Sequence, residues 1–402
     1  MFEEFRTFST DWAGRPLVIE TGKLGQLANG SVMVRYGETA VFCAVTASAK
    51  PRDGIDFFPL SVDFEEKLYS VGRIPGSFMR RDVRPTEKAI LASRMIDRPI
   101  RPLFPKSMRN DVSVVCTVMS TDPDCSPEIA AMLGTSVAIA ISDIPWNGPI
   151  AGVVAGYVDG EVVFNPTQAQ AAKSEMHVTV VSTDSKVAMI EAGANEIPDD
   201  VMVDAILKAH EFNQQIVQFV KDIAAQIGKP KFEFVECDVD HDMFEAVKEL
   251  VIEEVRAAMD TDDKRVRDAA LKPIYEKVAL FVEENYPDFA GQVDECMYKL
   301  QKFVVRSWLI NDKKRVDGRG IDEIRPLASE VGLLPRAHGS GLFTRGQTQV
   351  LTVATLGQLR DGQILDGIDD EEVKRYMHHY NMPSYSVGET RPSRGPGRRE
   401  IG

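Results

Sequence analysis

Several kinds of protein are excluded by what this 402-residue chain does not have. Its five cysteines, at 43, 116, 125, 237 and 296, form no C-x-x-C pair and are odd in number. That leaves no disulfide framework or zinc ribbon, and free thiols in a reducing cytosol are the expectation. No apolar run reaches the ~20 residues of a membrane span. The longest, from Ile129 to Ile141, is interrupted by Gly134, Thr135 and Ser136 and reads as a buried helix. The N-terminal MFEEFRTFSTDW carries acids and no apolar h-region, so a secretory leader is not expected. There is no G-x-x-x-x-G-K-[ST] phosphate loop. Net positive charge is also missing: 47 Lys and Arg face 61 Asp and Glu, for −14 overall. That balance argues against a generic nucleic-acid binder.

The cations that are present are concentrated. Residues 73–109 hold ten Lys or Arg against three acids. A second cluster comprises Arg391, Arg394, Arg398 and Arg399. Focused positive charge on an acidic protein suggests a polyanion held at one place and repelled elsewhere. The plainer alternative is that these arginines balance local acids.

Both clusters lie in stretches that repeat. Tyr69 to Arg81 reads YSVGRIPGSFMRR, and Tyr385 to Arg399 reads YSVGETRPSRGPGRR. Each opens with Tyr-Ser-Val-Gly and closes with Arg-Arg, at Arg80/Arg81 and Arg398/Arg399. Upstream, residues 28–46 and 337–355 share seven identities in nineteen positions. At roughly 5–7% chance identity per position, about one is expected. A period this long is a duplicated domain rather than a solenoid.

In chain order, residues 1–64 read as strands, with Gly37-Glu38 as a hairpin turn. Thr86 to Arg98 reads as a helix ended by Pro99, with Arg94 and Arg98 on one face and Arg101 just beyond. Asp111–Met119 is a strand, and Ser126-Pro127-Glu128 starts a small-residue helix. Strand-like runs follow at 150–157, 161–164, 177–182 and 187–191, then an amphipathic helix from Asp199 to Ile227. The predicted organisation is α+β: a first domain over 1–235, an all-helical domain over 236–312, and the start of a second copy of the first domain over 313–402. The stretch 311–320 is a polar linker, and 377–381 is a strand. His378-His379 is a poor metal pair, because neighbours on a strand point to opposite faces. The acids between Asp366 and Glu372 read as a solvated loop.

These residues resemble the polynucleotide phosphorylase family. The resemblance is carried by DFFPLSVDF (56–64), GRIPGSFMRR (72–81), IDRPIRPLFP (96–105), NGPI (147–150), VDGRG (316–320), RAHGSGLFTRGQTQ (336–349), HYNMPSYSVGE (379–389) and GRREIG (397–402). It implies two RNase PH-like domains, the second truncated here, separated by an all-helical domain. It also implies a cytoplasmic homotrimeric ring that threads single-stranded RNA and takes part in mRNA degradation, with a place in an RNA-degradation complex as a further expectation and no membrane. The implied reaction is phosphorolytic 3′→5′ exoribonuclease cleavage. Inorganic phosphate is the co-substrate and nucleoside diphosphates are released, reversibly, with Mg2+.

The resemblance places RNA contacts at Phe78, Arg80, Arg81, Arg398 and Arg399, with Arg94 and Arg98 as further candidates. Guanidinium groups fork onto phosphate oxygens without regard to sequence, and an aromatic ring stacks on any base. Met79 stands where the family has a second phenylalanine. The alternative for Phe78 is a core anchor for its loop. The family's phosphate site and metal ligands fall beyond Gly402, so no catalytic or metal-binding residue is expected within the chain. The alternative function, for the chain as it stands, is a non-catalytic RNA-binding and ring-forming module.

Overall fold

The structure, a computed structural model, describes residues 3–52, 54–55, 57–76, 78–82, 84–370 and 372–402. The chain forms two compact units: Met1–Glu236 with Gly362–Gly402, and Cys237–Asp361.

The first unit opens with β1 (Arg6–Trp12), β2 (Arg15–Thr21), β3 (Gly30–Tyr36), β4 (Thr39–Pro51) and β5 (Leu60–Glu65). Then come α1 (Glu87–Ile100), β6 (Asn110–Ser120) and α2 (Pro127–Ile141). β7 (Ala151–Val158), β8 (Glu161–Phe164), the single turn α3 (Gln168–Ala171), β9 (Met176–Ser182), β10 (Val187–Ala194) and α4 (Asp199–Ile227) complete the stretch.

Six strands make one sheet in the order β1-β2-β3-β4-β6-β5, antiparallel except for β5 beside β6. Four make a second, β10-β9-β7-β8. α2 packs on β3, β4 and β7 and is buried along almost its whole length. Its small residues are what permit this. A Cβ on Gly134 would lie 2.5 Å from Cys43 Sγ and 2.7 Å from Val34 Cγ2. The approach is equally tight from the sheet, where a Cβ on Gly30 would lie 2.2 Å from the Ala138 carbonyl oxygen. Helix α1 runs to Ile100 rather than stopping before Pro99. Pro99 removes one hydrogen bond from the last turn, but Ile96, Pro99 and Ile100 are all buried there, and packing outweighs that loss.

The second unit holds α5 (His241–Met259), α6 (Lys264–Asn285) and α7 (Val293–Ser307), which share a core of Val247, Val251, Val278, Val282, Leu300 and Val304. Its antiparallel sheet is β11 (Leu327–Val331), β12 (Gly339–Arg345) and β13 (Thr348–Ala354). The 311–320 stretch is built rather than loose: Arg315 N–H donates to Arg319 O at 2.9 Å, and Asp317 accepts from Arg319 and Arg325.

The chain then returns to the first unit with β14 (Gln363–Leu365), β15 (Glu372–Lys374) and the terminal turn α8 (Arg398–Ile401). Residues 377–381 form no strand. Just beyond them the Met382 N–H goes to Glu400 Oε1 at 2.8 Å rather than to a neighbouring strand. Among the described residues, no helix is long and apolar enough to cross a membrane.

Candidate nucleic-acid interface

The first arginine loop connects β5 to α1. A 3-10 turn at Leu68–Val71 is closed by Gly72 in the left-handed region at φ 69°. The chain stays irregular until Thr86, whose hydroxyl caps α1 by accepting from the Ala89 N–H at 3.0 Å. Near the tip, Phe78 is fully exposed and Met79 is 70% exposed. Phe78 therefore does not anchor the loop in the core. An unburied phenylalanine gains nothing from folding, so its ring is available to a ligand. Arg80 follows at φ 50°, a left-handed conformation that costs a non-glycine residue about 1–2 kcal/mol. Both Arg80 and Arg81 are exposed.

The base of this loop is fixed by acids that the sequence pattern places in solvent. Arg73 forms an ion pair with Asp366 and donates to Gly367 O at 3.1 Å. Lys88, in the first turn of α1, lies 2.6 Å from Asp369 and 2.9 Å from Glu128. Lys374 reaches Glu87 at 3.1 Å. Between these pairs Ile368 is buried in the core of the first unit. The acidic stretch is thus a strap across the loop base rather than a free loop; Glu371 lies outside the described residues.

Burial alone would raise the Glu128 carboxyl, but the Lys88 charge and the Ser126 hydroxyl outweigh it and hold it below the ordinary range. Burial likewise pulls the Lys88 ammonium down, and Glu128 and Asp369 more than reverse it. Glu66, whose carboxylate accepts from Thr86 Oγ1 at 2.5 Å, is pushed up by burial despite that bond.

The second arginine pair is not placed as the repeat suggested. The second Tyr-Ser-Val-Gly again forms a 3-10 turn, at Ser384–Ser386, and Gly388 is left-handed at φ 75°, like Gly72. From there the following helix is capped by Gly397, nine residues on, whereas Thr86 is fourteen residues beyond Gly72. Pro85 and Pro396 precede the two caps. The two loops therefore align through their helix starts, and the second is the shorter. Arg398 and Arg399 occupy the first helical turn, where the first copy has Glu87 and Lys88. The two Arg-Arg pairs therefore hold different places in the two copies.

Arg398 docks on the first copy. It pairs with Asp63, its Nη1 donates to Val62 O at 2.9 Å, and its own carbonyl accepts from Arg94 Nη1 at 3.3 Å. Arg399 is exposed and has no hydrogen-bond or ion-pair partner among the described residues. Arg98 is exposed and lies 3.4 Å from Glu191. Arg101 is fully engaged: it grips Asp97 with two 2.7 Å bonds and donates to Phe58 O and Leu60 O.

The structure thus brings Arg94 to Arg398 and carries both arginine segments on the β5–α1 region, while Arg98 and Arg101 are paired with acids. Sequence reasoning gives Asp63 no role and reads Asp366 and Asp369 as solvated acids, whereas all three are ion-paired. Their signal is long-range pairing, which no local pattern encodes.

Comparison with known families gives this arrangement a place. The RNase PH model, described as the 3′ exoribonuclease family, domain 1, matches residues 13–145 and again residues 323–402. The chain belongs to the 3′ exoribonuclease family of RNase PH proteins. The same family's domain 2 matches residues 148–211, and an RNA-binding domain of polyribonucleotide nucleotidyltransferase matches 242–320.

Among curated members, the polyribonucleotide nucleotidyltransferase of Ruminiclostridium cellulolyticum is 59% identical over 99% of this chain and 57% of its own length. That of Lachnoclostridium phytofermentans is 56% identical over the same shares. The chain spans a little over half the length of these relatives. A solved structure, rice (Oryza sativa) Rrp46, covers 55% of this chain and 94% of its own at 15% identity, with a TM-score of 0.43. The double match confirms a duplicated α+β RNase PH-like fold with helices between its two copies.

Proposed function

We propose that this chain guides single-stranded RNA in a phosphorolytic 3′→5′ exoribonuclease, which cleaves the terminal phosphodiester with inorganic phosphate and releases nucleoside diphosphates. The observation that carries the reading is the first arginine loop: an unburied Phe78 beside Arg80 and Arg81, rooted in a stretch of concentrated positive charge on an acidic chain. Guanidinium groups supply sequence-blind affinity for phosphate, and the ring supplies a stacking face for any base. Arg398 and Arg399 form a second cationic point on the same β5–α1 region, with Arg94 beside them and Arg98 one helical turn further on. The names of the relatives support polyribonucleotide as the substrate class. A homotrimeric ring, a cytoplasmic setting and a part in mRNA degradation belong to the same reading.

Among the described residues, no group of three His, Cys, Asp or Glu converges as a cation site. The magnesium that the resemblance implies finds no such group among them. What these residues can do is bind and align the strand. Such alignment matters because phosphoryl transfer depends on in-line placement.

The test has two arms. The 402-residue chain should bind oligoribonucleotide with an affinity that falls steeply as salt rises. Any longer protein carrying it should release nucleoside diphosphates from a 3′ end only when phosphate is added. Monophosphate release without phosphate would refute the phosphorolytic reading, and salt-insensitive binding would refute the guidance role.

A further inference from the structure

Strand β5 is an edge strand, so every second residue turns its backbone polar groups away from the sheet. The Leu60 N–H turns back to Phe58 O at 3.0 Å, and three more of these outward groups are met by side chains. Leu60 O accepts from Arg101 Nη2 at 3.0 Å, Val62 O accepts from Arg398 Nη1 at 2.9 Å, and Phe64 N–H donates to Ser93 Oγ at 3.0 Å. Arg398 is therefore part of the closure of a sheet edge. Asp63, the neighbouring residue on that strand, takes its other terminal nitrogen.

The segment bearing Arg398 is held at further points. Arg94 Nη1 donates to Arg398 O. Glu400 accepts from the Gly397 N–H and the Met382 N–H, both at 2.8 Å, and those two bonds, Met382 first, hold its carboxyl below the ordinary range. Arg399 alone of the pair is left with no protein partner among the described residues.

Resting on the RNA-guiding reading above, we infer that the second arginine pair divides its labour. Arg398 is an anchor, Asp63 and Arg94 are positioning residues acting through it, and Arg399 is the cation presented to an RNA phosphate. Arginine suits the anchor because its planar fork reaches a carboxylate and a carbonyl together, which a lysine ammonium cannot do with the same geometry. The presented position needs charge without a fixed protein partner.

Asp63 supplies the discriminating test, because charge and position there predict opposite outcomes. Asp63→Asn removes a negative charge beside the cations, so electrostatics alone would tighten RNA binding. As a positioning residue, its removal should instead weaken binding several-fold and speed amide exchange at Gly397–Gly402 at least tenfold. Asp63→Glu should recover part of both, and the swap Asp63→Arg with Arg398→Asp should restore exchange protection.

Arg399→Ala should leave that exchange unchanged and lower the slope of log affinity against log salt by about 0.7, the value for one phosphate neutralised on a single strand. Tighter binding by Asp63→Asn, or an unchanged slope in Arg399→Ala, overturns the inference. If the unmodified chain itself shows no salt-dependent binding to oligoadenylate, the RNA reading fails and the role of Arg399 fails with it. The exchange coupling of residues 63 and 398 would still decide the anchor.

Discussion

Arg101 and Arg398 act two residues apart on one strand edge, the first on Leu60 O and the second on Val62 O. They come from distant parts of the sequence, yet each uses its guanidinium on an outward carbonyl and a carboxylate, Asp97 for one and Asp63 for the other. The residues look alike in sequence and sit among other arginines. Their bonds show that a count of cations overstates the charge available to a ligand.

Arg101→Lys should therefore act on stability rather than on RNA. An ammonium cannot reproduce two bonds to Asp97 and two to carbonyls, so a loss of about 1–3 kcal/mol is expected from unmet polar groups. A denaturant titration should show the midpoint fall, while the salt dependence of RNA binding keeps its slope. A slope lower by about 0.7 would instead place Arg101 on an RNA phosphate.

For the first arginine loop the expected effect is on RNA binding. Arg80→Ala with Arg81→Ala should lower the salt slope by about 1.4, at about 0.7 for each phosphate that is no longer neutralised. Phe78→Ala should weaken binding by about 1–3 kcal/mol for the one base it stacks. Because Phe78 is fully exposed, its removal should not move the melting temperature. Filter binding over a salt series and a thermal melt together check both.

Much of this fold was legible in local pattern. Gly37-Glu38 marks the β3–β4 hairpin, and Ser126-Pro127 marks the start of α2. Asp199 and Gly228 bracket α4. These signals work because turn and cap chemistry is confined to a few neighbouring residues. The duplication was legible too, but its register through the arginine loops was not. Tyr-Ser-Val-Gly fixes one end of each loop, and the other end is fixed by a helix cap, Thr86 or Gly397, which carries no shared letter. The tie of Asp366 to Arg73 was illegible for another reason: an acidic run looks the same in sequence whether water or arginine faces it.

Acid and base should each cost stability through one pair. Glu128 is held below the ordinary carboxylate range, so its contribution is complete above the unfolded value and is lost as pH falls through the lower folded one. Lys88 is held above its ordinary value, so its contribution is complete below the unfolded value and is lost as pH rises through the higher folded one. Stability from the pair should be flat between about pH 5 and 10. Lys88→Met removes the charge that opposes burial at Glu128 and should shift acid unfolding to higher pH. Because the Lys88 side chain is 44% exposed, the cost at neutral pH should be modest, about 1–2 kcal/mol. An acid limb that does not move would show that burial, not Lys88, governs Glu128.

Gly30 and Gly339 hold matching places in the two copies, yet alanine should affect them differently. At Gly30 the added carbon would fall 2.2 Å from the Ala138 carbonyl oxygen, which is helix backbone and cannot rotate away. The sheet and α2 must separate to admit it, at a cost of about 1–3 kcal/mol. At Gly339 the nearest atom would be the Ala354 Cβ at 3.5 Å, an ordinary van der Waals separation, and the φ angle is not left-handed. There alanine removes only freedom of the unfolded chain and should be neutral or stabilise by about 0.4–1 kcal/mol. The two variants report on different units, so amide exchange in β3 for one and β12 for the other is the suitable measurement. Faster exchange in β3 with unchanged or slower exchange in β12 is expected. Equal losses in both would mean that the strand, rather than the helix packed against it, sets the requirement for glycine.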